Sequence, residues 1–183
     1  MANLGFYYNM NTCLGCASCQ VACKEKHHLL PGEYIRRVSQ LDFGPISLAC
    51  NHCEDALCVK ACPTGAMYKS EDGLTLHDDG KCIGCGACTW NCPYGAAHIS
   101  KATGFSTKCD SCLDLRGEGL RPACVAACPT ASLMFGDMGE FREVFESPLN
   151  KLTKDVPGLP CSNLTKPNIL IKPSKKIKEG KNE

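Results

Sequence analysis

The sequence is short of the residues that usually build a core. It holds one Trp, five Tyr and six Phe, and its 44% of hydrophobic residues counts every cysteine. Without the cysteines about 35% remains. An ordinary apolar core is therefore thin for a chain of 183 residues, a length that suits one domain or two small ones. No apolar run reaches the roughly eighteen residues that a membrane span needs, so no direct span is expected. Charge of neither sign is in excess: 20 Lys and Arg stand against 19 Asp and Glu, a net charge of +1. That balance excludes a strongly basic nucleic-acid binder and an acidic tail-like protein. The phosphate-binding patterns G-x-G-x-x-G and G-x-x-x-x-G-K-[ST] are absent. The start, Met1-Ala2-Asn3-Leu4-Gly5-Phe6-Tyr7-Tyr8, has neither the three parts of a secretory signal nor a twin-Arg pair.

What is abundant is cysteine: 17 residues, about 9% of the chain. The odd count argues against full disulfide pairing. A chain without its own export signal is expected to meet a reducing cytosol, where disulfides rarely persist. Sixteen of the cysteines fall into four groups. They are Cys13-x2-Cys16-x2-Cys19-x3-Cys23, Cys50-x2-Cys53-x4-Cys58-x3-Cys62-Pro63, Cys82-x2-Cys85-x2-Cys88-x3-Cys92-Pro93, and Cys109-x2-Cys112-x11-Cys124-x3-Cys128-Pro129. Cys161 stands alone. Structural zinc sites use two separated pairs. Groups one and three instead place three cysteines at three-residue intervals, so that one loop wraps a cubane and offers three thiolates to three irons. The run C-x2-C-x2-C-x3-C-P is the bacterial ferredoxin signature, whose fourth Cys ligates the other cluster of a pair. Four such groups predict four [4Fe–4S] clusters, and none is short of a ligand for a three-iron variant.

The groups are internal repeats. Ala61-Cys62-Pro63-Thr64-Gly65-Ala66, Asn91-Cys92-Pro93-Tyr94-Gly95-Ala96 and Ala127-Cys128-Pro129-Thr130-Ala131-Ser132 are three copies. In the first group Lys24 replaces the proline, so a helix over Gln20 to Leu30 can run past Cys23. The fold class expected is α+β with short elements. Gly5 to Asn9 reads as a strand. Met67–Lys69 and Leu74–Leu76 read as a hairpin around Glu71-Asp72-Gly73, and His98 to Thr107 as another, turning near Thr103-Gly104. Short helices are expected after Cys53, Cys85 and Cys112, and another over Glu140 to Glu146. Asn168 to Ile171 reads as a strand or extended arm, and Lys172 to Glu183 as a mobile, Lys-rich tail.

In these groups the sequence resembles the four-cluster iron–sulfur (B) subunits of the molybdopterin oxidoreductases. Ser47 to Asp55, Cys92-Pro93-Tyr94-Gly95-Ala96 and Thr165 to Pro173 strengthen the likeness. The segment Lys166-Pro167-Asn168-Ile169 favours the anaerobic dimethyl sulfoxide reductase branch over the formate dehydrogenase, polysulfide, thiosulfate, tetrathionate and arsenate reductase relatives. The resemblance implies two ferredoxin-like modules and an extended C-terminal arm. Residues 1–49 and 101–150 form the first module, 50–100 the second, and 151–183 the arm and tail. It also implies crossed ligation. Cys13, Cys16, Cys19 and Cys128 hold one cluster, and Cys109, Cys112, Cys124 and Cys23 its neighbour. Cys50, Cys53, Cys58 and Cys92 hold a third, and Cys82, Cys85, Cys88 and Cys62 the fourth. The role implied is non-catalytic: single-electron transfer between an integral membrane anchor that oxidises quinol and a large molybdopterin catalytic subunit. The chain is then membrane-associated through its partners, on the outer face or the cytoplasmic one according to the signal the partner bears.

A free-standing polyferredoxin and a structural zinc module are the competing classes. Several residues carry a plain reading beside a functional one. Lys24, Lys81 and Lys108 adjoin ligating cysteines and raise a nearby potential, or are solvated turn residues, the reading favoured for each singly. His27 and His28 are ligands or quinone contacts, or polar residues at a helix end, which is preferred. Trp90 is expected to shield a cluster. Leu113 to Ala123 is a docking loop or a surface excursion, and Cys161 a plain thiol. With four clusters of formal charge 2−, the loaded protein carries about −7 rather than the +1 of the bare chain.

Overall fold

The strand Leu4–Asn9 (β1) buries four successive residues, because both its faces are covered. Phe6 and Tyr8 enter the main core, which also holds Cys23, Cys50, Cys109 and Cys124. Tyr7 points the other way, against Met138 and Leu170. These observations come from a computed structural model that describes residues 3–179. Residues 1–2 and 180–183 lie outside the described part, and with them the last residues of the expected mobile tail.

After β1 the chain forms the helix Ser18–Lys26 (α1), the hairpin strands Arg37–Leu41 (β2) and Gly44–Leu48 (β3), and the short helix Leu57–Lys60 (α2). Met67–Lys69 (β4) and Thr75–His77 (β5) pair next, followed by the helix Ala87–Asn91 (α3) and the two-residue strands His98–Ile99 (β6) and Ser106–Thr107 (β7). Then come helices Leu113–Gly117 (α4) and Ala123–Ala126 (α5), strand Leu133–Asp137 (β8) and helix Met138–Phe145 (α6). Strand Ile169–Lys172 (β9) and helix Lys175–Glu179 (α7) close the described chain. The class is α+β.

The largest sheet has the order β8-β1-β9. β8 runs antiparallel to β1, from Leu4 opposite Asp137 to Tyr8 opposite Leu133. β9 runs parallel to β1, with Phe6 opposite Ile169 and Asn9 opposite Lys172. Gly5 is required there, since a Cβ would collide with the Asn168 carbonyl and the Met138 sulfur. Tyr7 stacks on Phe145 of α6 at 4.3 Å between ring centroids. Asp137 caps that helix, accepting from the amides of Gly139 and Glu140.

The expected hairpins are present, the first with its return strand one residue later than read, at Thr75–His77. The helices after Cys53, Cys85 and Cys112 are present too. Without a proline after Cys23, α1 continues past it, but it ends at Lys26 rather than at the expected Leu30. The hairpin β2–β3, strand β8 and helix α5 were not read from the sequence. The Lys-rich tail is helical over Lys175–Glu179 rather than without structure, and Ile177 packs on the main core. A third cluster, of Met67, Cys88 and Ala97 with Cys58, Val59 and Cys62 against it, belongs to the middle of the chain. No helix among the described residues is long and apolar enough to cross a membrane.

Candidate metal centres

The cysteine loops curl because residues between the ligands adopt left-handed backbone. In group three these are Gly84 and Gly86, with φ of 66° and 77°. In group one they are Gly15 and Ala17, at 70° and 62°. A glycine adopts this conformation freely, whereas Ala17 does so at a cost of about 1–2 kcal/mol. Each curl turns successive sulfurs toward one point and ends in a helix, α1 or α3. The Cys-Pro copies work differently. Proline stops the helix after Cys62 and Cys128, and the threonine two residues on reaches back toward the sulfur, at 3.7 Å for Thr64 and 3.8 Å for Thr130.

Cys13, Cys16, Cys19 and Cys128 line one cavity with Tyr8 and Ser47. Cys62, Cys82, Cys85 and Cys88 line another, with Met67 and Ser106. In both, the fourth cysteine comes from a different group than the other three. The remaining eight are more deeply set and influence one another electrostatically. Cys58 lies in the field of Cys50, Cys92 and Cys53. Cys23 lies in that of Cys124 and Cys112, and Cys109 in that of Cys124 and Cys23.

None of the 17 cysteines is paired in a disulfide. Tetrahedral zinc, with Zn–S of about 2.3 Å, draws its sulfurs to within about 4 Å of one another. Among the described residues no three cysteine sulfurs lie within 4.8 Å of each other; the one group of three donors that close is His27, Asp110 and Cys112. The nests are therefore wider than zinc requires, as a cubane held at its corners needs. Amide donors complete them. His52 and Ser111 donate to Cys50 and Cys109 at 3.4 Å, Ala96 to Cys92 at 3.4 Å and Met67 to Cys62 at 3.5 Å. Hydroxyls of Ser18 and Ser47 lie 3.3 Å from Cys16 and Cys19.

Thiol acidities divide by depth. Burial pushes Cys109 far up, Cys23 and Cys58 up to about 12, and Cys53 up to about 11. Nearer the surface, the Ser18 hydroxyl lowers Cys16. At Cys62 and Cys128 burial pulls upward, but the surrounding amides and threonine hydroxyls together bring the net shift down. The inner thiols thus hold negative charge only when a metal replaces the proton.

Several polar residues near these nests had no signal in the sequence. Arg36 is 2% exposed, its guanidinium carbon 4.8 Å over the Phe6 ring. His52 is fully buried, with Nδ1 on the Thr75 backbone, and burial holds it neutral. Lys69 ties the carbonyls of His52, Cys53 and Gly73 together. Lys108 corrects the solvated reading: it is 6% exposed and donates to the carbonyls of Thr75 and Cys109. Lys81 is exposed and pairs with Asp78, as read, while Lys24 closes the loop after α1 through the carbonyls of Leu30 and Glu33. Trp90 departs from the expected packed position, its side chain being 82% exposed. His27 caps α1, 3.6 Å from Asp110 and 4.0 Å from the Cys112 sulfur. The insert after Cys112 is anchored: Arg116 packs over Phe135 at 5.1 Å and pairs with Asp72 at 3.6 Å. Cys161 is exposed.

Comparison with known proteins rests on the same residues. A 4Fe-4S dicluster domain matches residues 41–138, and a 4Fe-4S binding domain matches 10–26. The B subunit of the anaerobic dimethyl sulfoxide reductase of Escherichia coli K12 is 40% identical over 186 residues, covering 93% of this chain and 88% of the relative. The chain belongs to this family of 4Fe–4S dicluster subunits. The B subunit of the polysulfide reductase of Wolinella succinogenes is 36% identical, with 94% of this chain and 95% of the relative covered. The thiosulfate reductase electron transfer subunit of Salmonella typhi is 40% identical over 70% of this chain and 72% of its own. The family carries [4Fe–4S] clusters, and the donor set fits them. Electron transport as an oxidoreductase subunit is the family's role.

Proposed function

We propose that this chain relays single electrons through four [4Fe–4S] clusters, between a membrane anchor that oxidises quinol and a large molybdopterin catalytic subunit of a dimethyl sulfoxide reductase-like respiratory enzyme. Each cluster accepts and passes one electron, its potential set by local charge, hydrogen bonds to sulfur and burial. The ligand sets are the crossed ones: Cys13, Cys16, Cys19 and Cys128; Cys109, Cys112, Cys124 and Cys23; Cys50, Cys53, Cys58 and Cys92; Cys82, Cys85, Cys88 and Cys62. The first two belong to a module of residues 1–49 and 101–150, the others to a module of 50–100, and 151–183 is the arm that returns as β9. The shared cavities and the mutual fields of the cysteines support these sets.

The observation that carries the relay is the gradient of exposure along them. Cys109 feels Cys50, which joins the two inner sets. Cys19 feels Cys124 as well as Cys128, which joins the first set to the second. The inner sets hold most of the buried cysteines, while Cys16 and Cys85, in the outer sets, are exposed. Exposed apolar side chains stand within each outer cysteine group: Leu14 and Val21 in group one, 72% and 63% exposed, and Ile83 and Trp90 in group three, 65% and 82%. Two separate apolar exits suit a chain held between two partners. A freely diffusing polyferredoxin, the competing reading, gains nothing from them. The chain is then membrane-associated through its partners, on the side to which the catalytic partner is delivered.

Anaerobic purification of the native complex tests this. A large molybdenum-containing chain and an integral membrane chain co-purify. A lone, fully soluble monomer that exchanges electrons with diffusible carriers refutes it.

A further inference from the structure

Arg36 lies between α1 and β2, and its charge is almost wholly removed from water. One nitrogen, Nη1, donates to Ser47 Oγ at 3.2 Å and toward the Ser47 carbonyl at 3.4 Å. The face of Phe6 covers the guanidinium. Nε is buried and has no hydrogen-bond partner among the described residues. No carboxylate pairs with Arg36 there, although a buried guanidinium without a counter-charge is strongly unfavourable. The groups that act on it are sulfurs, Cys124 and Cys109, then Cys19 and Cys23, and these become negative when a metal replaces their protons. These come from two ligand sets, the one closed by Cys128 and the one containing Cys109. Ser47 extends the connection, since the hydroxyl that holds Arg36 also lies 3.3 Å from Cys19 Sγ.

We propose that Arg36 is a positioning residue for electron transfer: a fixed, buried cation at the junction of these two ligand sets, which raises the reduction potential of both clusters. Reduction adds one negative charge to a cluster, and a cation in a water-poor site favours that form over the oxidised one. Arginine suits the position because it stays protonated at any working pH and is more weakly hydrated than lysine. The inference rests on the ligand sets proposed above.

The test is potentiometric EPR titration of the assembled complex carrying Arg36→Gln or Arg36→Lys, with iron counted in each. Signals are assigned beforehand by ligand replacement. With iron content and the number of signals unchanged, Arg36→Gln shifts the two junction signals to lower potential. The change is at least tenfold in the reduction equilibrium, about 59 mV for a one-electron couple. The signal of the set holding Cys82 stays in place, and Arg36→Lys keeps the wild-type potentials. Unmoved potentials in an iron-replete Arg36→Gln complex overturn the proposal. So does an equal shift of all signals, or an Arg36→Lys complex that shifts as far as Arg36→Gln. If Arg36→Gln loses iron, the neutral Arg36→Met takes its place, read at the same two junction signals. A fall in both potentials supports the role of Arg36, and no change overturns it. Wrong iron or signal counts in the wild-type complex would instead refute the ligand sets.

Discussion

The crossing of ligands between groups gives the sharpest prediction. Cys128 is four residues from Cys124 in sequence, yet it shares a cavity with Cys13, Cys16 and Cys19. Consider Cys13→Ala, Cys128→Ala and the double variant. An intact chain with four [4Fe–4S] clusters holds about sixteen irons. If both residues serve one cluster, each single variant loses one quarter of the iron, to about twelve. The double variant then loses no more, because the second removal acts on a cluster already gone. If ligation were local, each residue would serve a different cluster and the double variant would fall to about eight. The two schemes thus differ by about four irons in the double variant, a non-additivity that a double-mutant cycle is suited to read. Iron, acid-labile sulfide and EPR of anaerobically purified protein supply the measurement. Should a three-iron remnant survive in the singles, both carry the same altered signal. A double variant with half the wild-type iron, or singles that abolish different signals, refutes the crossing.

Three further outcomes follow from the packing. Lys108→Met removes two charge-assisted hydrogen bonds, to the carbonyls of Thr75 and Cys109, in a buried site. At about 1.5–3 kcal/mol for each such bond, anaerobic denaturant titration should show a loss of about 3 kcal/mol, and a change below about 0.5 would sink the account of that site. Leu170→Ala opens a cavity at a residue with no exposed surface, between Tyr7 and Met138. A cost of about 2–5 kcal/mol is expected, and a negligible one would mean that β9 is not part of the core. Iron removal by chelation should abolish cooperative melting, since the thin apolar core leaves ligand binding to supply the folding energy. Iron-free protein that melts cooperatively with native far-UV dichroism would contradict this.

How much of this was legible in the sequence depended on whether the signal was local. The cysteine loops were, because C-x2-C-x2-C fixes three donors on one curl. The hairpin at Glu71-Asp72-Gly73 was, because its turn residues are adjacent. Cys23 lacked its proline, and the continued helix followed from that single absence. By contrast β8 ends at Gly136-Asp137 and runs straight into α6, so neither a period of two nor a clean boundary marks it. The partners of β1 lie more than 120 residues away, and nothing near Leu4–Asn9 names them. Arg36 and Lys108 were invisible as buried cations for the same reason. Their burial is set by sulfurs and carbonyls brought in from distant segments, and a basic residue in sequence reads by default as solvated. Trp90 misled in the opposite sense: its place between two cysteines suggested a packed ring, but its side chain is 82% exposed.

The central claim, that sixteen cysteines are ligands to four cubanes, is tested most directly by metal and sulfide analysis with redox-poised EPR of the anaerobically purified complex. About sixteen irons and sixteen sulfides belonging to this chain, with four distinct [4Fe–4S] signals, are expected. About four zinc atoms with no sulfide, or fewer than four such signals in iron-replete protein, would contradict it.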